Sequence, residues 1–213
     1  MPRCLPAIGL TITLLCAAPL AAQDATLLRP VDEASSQAEF FGFRARLQTA
    51  VAARDVDALL AMSSPNIKLS FGGDDGSAAF RRQLASDGGA LFARLAETLA
   101  LGGSFRTPDQ FVAPYTYSRW PEQFDAFSHF AVVGERVAVR ASQRPTSEML
   151  STVSWAIVTL GPEGERDGMT QVELPGGRYG WIATRFLRSP VDYRALFVRE
   201  GGRWQLAMFV AGD

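Results

Sequence analysis

A chain of 213 residues, 47% apolar and 20% charged, has the composition of a packed globular protein and not of a disordered or fibrous one. Its 21 Lys and Arg against 22 Asp and Glu leave a formal net charge of −1, which excludes a broad electrostatic claim on nucleic acid or on an anionic membrane. Both cysteines, Cys4 and Cys16, fall within the first 22 residues, so the rest of the chain has no thiol nucleophile, cysteine metal site or disulfide.

Those first residues read as a signal peptide over 1–22. Arg3 supplies the positive start and "IGLTITLLCAAPL" the apolar stretch, which is too short to span a bilayer stably; "LAAQD" offers cleavage after Ala22. The expectation is a periplasmic or secreted protein, one charge more negative without Arg3, with no membrane insertion after cleavage. Residues 23–36 have no periodic pattern and contain Pro30, and are expected to be a mobile lead-in tacked down by Leu27 and Leu28.

Residues 37–128 are expected to be a helical region with one strand. Phe40, Phe43, Leu47 and Val51 recur at helical spacing. A short second helix follows, capped by Asp55, with Leu59, Leu60 and Met62 on its apolar side and Pro65 as its stop. "NIKLSFGGDDG" alternates Ile67, Leu69 and Phe71 against polar residues, which predicts a half-buried strand over 66–71 entering a glycine turn. Helices are expected over 77–84 and 90–99, and an extended connection with prolines 108, 114 and 121 over 104–128.

From His129 the pattern becomes short strands. "VVGERVAVRASQ", "EMLSTVSWAIVTL" and "TQVELPGGRYGWIATRFLRSP" together resemble the bacterial SH3-like (SH3b) domain family over residues 132–190. The shared features are a valine strand after a glycine turn, a serine turn before an apolar strand, and a Gly-Trp-Ile strand followed by one helical turn and Leu187. The family commonly has a Trp where this chain has Met169-Thr170. The resemblance implies a small β-barrel over 129–190 and a binding role, since such domains in exported bacterial proteins often contact peptidoglycan or other envelope components. Trp155 and Tyr179 are the aromatics available to stack on a ligand, with barrel core as their alternative.

Residues 191–213 read as a hairpin turning at Glu200-Gly201-Gly202, apolar on much of both faces. Pairing it with strand 66–71 would satisfy both. The resulting fold class is α+β: a helical N-terminal region packed with the C-terminal hairpin, plus the small barrel. The N-terminal region also bears a slight likeness to cone-shaped folds such as the NTF2-like family, from which no function is carried over.

Candidate chemistry is sparse. His129 is the single histidine, which leaves a zinc site or a triad incomplete. Asp74 and Asp75 could hold Ca²⁺ or a saccharide, although an Asp before a helix is more often its cap. Glu122 and Asp125 could form an acid/base pair for glycan cleavage only in a cleft that raises one pKa. No cofactor is expected. The leading expectation is a non-enzymatic exported protein that binds peptidoglycan or an envelope protein; the alternatives are a carboxylate-based enzyme acting on cell-wall glycan and an accessory subunit docking on a protein.

Overall fold

The computed structural model describes residues 26–212, so the expected signal peptide and its cleavage point lie outside the described residues. The first half of the chain forms α1 (Ala38–Ala53), α2 (Val56–Ala61), β1 (Ser63–Lys68), α3 (Ser77–Ser86), α4 (Ala90–Ala100), β2 (Ser104–Thr107), β3 (Gln110–Ala113) and α5 (Tyr115–Ser118). The second half forms β4 (His129–Val132), β5 (Val137–Arg140), β6 (Met149–Val153), β7 (Ile157–Arg166), β8 (Met169–Leu174), β9 (Arg178–Ala183), β10 (Leu187–Arg188), β11 (Arg194–Glu200) and β12 (Arg203–Val210). The strands make two sheets, one of five strands and one of seven.

The five-stranded sheet has the order β1-β12-β11-β3-β2, with β1 parallel to β12 and the other pairs antiparallel. Its inner face carries Phe111, Phe197, Leu206 and Phe209, which pack on Phe40, Phe43 and Leu47 of α1 and Leu95 and Leu99 of α4. The Phe40 ring lies 4.3 Å from Phe111, 4.8 Å from Trp204 and 5.6 Å from Phe197. Local chemistry sets the helix ends. Arg54 turns left-handed and stops α1, and the Asp55 carboxylate caps α2 by accepting the Ala58 N–H at 2.9 Å.

The seven-stranded sheet has the order β10-β4-β7-β8-β9-β5-β6. It overturns the expected fold class. The protein is a mostly β structure of two open sheets with five α-helices among the described residues, and the sheet over 129–188 does not close into an SH3-like barrel. The reasons are local. The expected glycine turn is present at 134–136, where Arg136 adopts φ 48°, but it separates two strands on different sides of the sheet: β4 pairs with β7 and β10, while β5 pairs with β6 and β9. The end strands β10 and β6 do not pair with each other, so two edges remain. Val132, Val137, Val139, Val172, Ile182 and Leu187 fill the core of this sheet.

Two further expectations are corrected. The strand read at 66–71 is placed at 63–68, and Phe71 lies beyond it, 54% exposed. Ser70 Oγ accepts the N–H groups of Gly72, Gly73 and Asp74, which turns the chain away before Phe71 can join the sheet. Residues 104–113, read as connection, form the hairpin β2–β3, with Pro108 in its turn and β3 hydrogen-bonded to β11.

Residues 26–36 run along the seam between the two sheets. Leu28 N–H donates to Trp155 O at 2.7 Å, Thr26 O accepts from Ile157 N, and Gly103 N–H donates to Val31 O. Asp32 grips the buried Arg44 through two bonds of 2.7 Å. Gly102, at φ +63°, allows this approach, because a Cβ there would sit 2.6 Å from Val31 O. Leu28, Tyr115 and Ala131 then make a small apolar cluster joining the halves.

Candidate functional site

The molecule is concave along the seam. One cavity of about 690 Å³ lies between α4 and the β4/β10 edge, walled by Leu101, Phe130, Val133, Leu187, Arg185 and Arg188 among others. A second, of about 380 Å³, is walled by Val31, Leu101, Tyr115, Val133 and Trp155. Ala100, Leu101 and Val133 belong to both walls, so the two adjoin along the seam and are taken together as the seam cleft. Clefts between packed bodies are where small-molecule sites most often lie.

Two polar groups in these walls are buried without partners. Tyr115 is 1% exposed and its hydroxyl has no hydrogen bond; burial pushes its pKa up to about 12, so it stays a neutral donor at ordinary pH. Arg188 is 7% exposed and its Nε–H is likewise unpaired. The rest of that guanidinium is held firmly. Nη1 lies 2.9 Å from Asp192 and 3.7 Å from Glu97, and Nη2 donates to Tyr193 O at 3.1 Å. Burial lowers the Arg188 pKa from its usual value while Asp192 and Glu97 oppose the shift, and the group remains a cation. Unpaired buried donors are uncommon and costly, and a ligand or bound water is their ordinary explanation.

The cleft contains one of the two aromatics singled out from the sequence. Trp155 is half-buried, and its indole N–H reaches Glu135 at 3.4 Å. Its backbone is in the left-handed region at φ 53°, unusual for a tryptophan, and is fixed by Trp155 N–H to Gly134 O and by Leu28 N–H to Trp155 O. Tyr179 is elsewhere. It is 44% exposed on β9, opposite Glu173. Glu173 in turn lines a separate groove of about 640 Å³ with Leu150, Leu174 and Arg178. Sequence reasoning missed Tyr115 and Arg188. Tyr115 falls in the stretch 104–128 read as an extended connection, and nothing in that stretch distinguishes a hydroxyl left without a partner.

Of the carboxylates singled out from the sequence, Asp74, Asp75 and Asp125 have structural partners, whereas Glu122 is exposed in the loop before β4. Asp75 accepts from Leu69 N–H at 2.8 Å, from Lys68 Nζ at 2.9 Å and from Ser70 N–H; these bonds, that to Leu69 first, hold its carboxyl below the usual range. It does not cap α3, whose N-cap is Gly76 with no side-chain bond, so that expectation is corrected: Asp75 closes the loop back onto the end of β1. Asp74 pairs with Arg82 at 2.8 Å. Asp125 accepts from Ser128 Oγ at 2.5 Å and from Ser128 N–H, and its pKa is lowered, chiefly by the Ser128 hydroxyl. A general acid needs the opposite shift. His129 Nδ1 lies 3.0 Å from both Ser128 Oγ and Asp125 O, and the ring packs on Phe124, so it staples this loop. No group of three His, Cys, Asp or Glu suited to a metal occurs among the described residues.

No family model matches the chain, and no curated protein matches it. Among solved structures it is similar to an NTF2-like protein with a cystatin-like fold from Novosphingobium aromaticivorans, at 12% identity over 84% of this chain and 80% of that one, with a TM-score of 0.32. It is also similar to an NTF2-like protein of unknown function from Pseudomonas putida, at 11% identity over 84% of this chain and 87% of that one, with a TM-score of 0.31.

Proposed function

We propose that the protein is an exported, non-catalytic binding protein of the bacterial envelope and that its ligand, a peptidoglycan fragment, occupies the seam cleft. The observation that carries this reading is that two residues with unpaired buried donors, Tyr115 and Arg188, stand in the walls of the two adjoining seam cavities. A muramyl peptide matches the wall in chemistry. Its sugar face can stack on Trp155, its amide carbonyls can accept from Tyr115, and its polar groups suit the mixed-charge end, where Arg94, Arg185 and Arg188 stand beside Glu97, Glu165 and Asp192.

Titration calorimetry with N-acetylmuramyl-L-alanyl-D-isoglutamine, together with co-sedimentation on purified sacculi, tests this. Trp155→Ala should abolish measurable binding. Tyr115→Phe should weaken it roughly two- to ten-fold, the range of one hydrogen bond, without loss of thermal stability. Tyr179→Ala should leave binding unchanged. No binding to either probe, or binding that survives Trp155→Ala intact, defeats the proposal.

A further inference from the structure

A further cavity, remote from the cleft, lies at the turn end of the β11–β12 hairpin. Its volume is about 470 Å³, and its walls include Glu39, Gly42, Phe43 and Arg46 of α1, Met62, and Arg203 and Trp204 of β12. Glu39, Gly42, Phe43 and Arg46 follow helical spacing and form one stripe, so a single face of α1 meets the hairpin here. The apolar share of the wall comes from Phe43, Met62, the indole ring and the methyl groups of Ala38 and Ala61.

Three observations converge on the polar character of this cavity. Trp204 is 7% exposed, yet its indole N–H has no acceptor. An indole nitrogen can only donate, so the missing partner is an oxygen acceptor. Neither Arg46 nor Arg203 has an ion pair among the described residues, although Arg199, on the same hairpin, is paired with both Glu39 and Asp109. The acid in the wall, Glu39, is therefore already committed to Arg199 at 2.8 Å. The cavity combines surplus positive charge with apolar surface, and Trp204, whose buried N–H is unpaired, stands in its wall.

We propose that this cavity binds a carboxylate carried on an apolar chain, with the carboxylate between Arg46 and Arg203, one of its oxygens accepting from the Trp204 indole, and the chain against Phe43 and Met62. Arginine favours such a group because its planar fork matches two carboxylate oxygens. The volume suits a molecule of roughly ten to fifteen non-hydrogen atoms, at the small end of ordinary ligand pockets. This site is independent of the seam cleft and shares no wall residue with it.

The test uses decanoate and, as its uncharged counterpart, decanol, read by the indole N–H resonances of ¹⁵N-labelled protein. Trp204→Phe, which keeps a ring in the core, assigns the Trp204 signal by its disappearance. Decanoate should move that signal saturably, decanol should not, and the double variant Arg46→Gln, Arg203→Gln should weaken decanoate about ten-fold. Both arginines are exposed, so the variant is expected to fold; an unchanged set of the remaining indole signals verifies that. A Trp204 signal indifferent to decanoate, or one that responds equally to decanol or equally in the double variant, overturns the proposal. Muramyl dipeptide should move Trp155 and not Trp204, so the failure of one site is distinguishable from the failure of the other.

Discussion

Asp32 shows how one side chain fastens the seam. Burial raises its pKa, but the two bonds from Arg44, the Ala34 N–H and the Arg44 charge outweigh that effect and hold the carboxyl below its ordinary value. The folded chain thus binds this proton more weakly than the unfolded one, whose carboxyl titrates near about 3.9. The contribution is fully present above that pH and is lost as pH falls through the lower folded value. Thermal melts should show stability declining below about pH 4, with Asp32→Asn less stable at neutral pH and showing a shallower acid decline. Gly180 is a second decisive residue. A Cβ there would lie 2.5 Å from Val139 Cγ1 and 3.1 Å from Leu174 Cδ1, so β9 can approach β5 only as glycine. Gly180→Ala should cost about 1–3 kcal/mol in a denaturant titration.

Elements differ in how plainly the sequence announces them. The helix stripe Phe40, Phe43, Leu47, Val51 was legible because one face of α1 is buried along its length. β1 was misplaced because Ser63, Ser64 and Pro65 look like a helix stop; Pro65 is tolerated because β1 is an edge strand, with β12 as its single neighbour. β2 and β3 were hidden by their shortness, four residues each, and by the prolines beside them. The hairpin alternation was legible only up to its irregularity. Leu196 pairs with Met208 but Phe197 pairs with Leu206, so the inward position beyond that shift is Phe209, buried at the core, and not Met208. The candidate site was less legible still, since only Trp155 was singled out, and the burial of Tyr115 and Arg188 depends on two remote segments meeting. β11 and β12 supply Ala195, Phe197, Trp204, Leu206 and Phe209 to the core on which α1 and α4 rest. Deleting residues 192–213 should therefore abolish most of the helical circular-dichroism signal; a truncated protein that keeps the full signal and melting temperature contradicts this packing.

At the scale of the whole molecule, the two sheets are joined by chain segments as well as by contact. Residues 26–36 bond to both halves, and Arg188 of β10 reaches Thr98 of α4 and the Tyr193 carbonyl. The cleft is walled by α4 on one side and by β4 and β10 on the other, so occupancy should tighten both halves at once. The most direct measurement is amide hydrogen exchange with and without saturating muramyl dipeptide. The seam account predicts added protection at residues 100–102, 130–133 and 184–189 together, with little change at 149–153 and 173–179. Protection confined to 149–153 and 173–179 would place the ligand in the groove beside Tyr179 and contradict the seam cleft as the binding site.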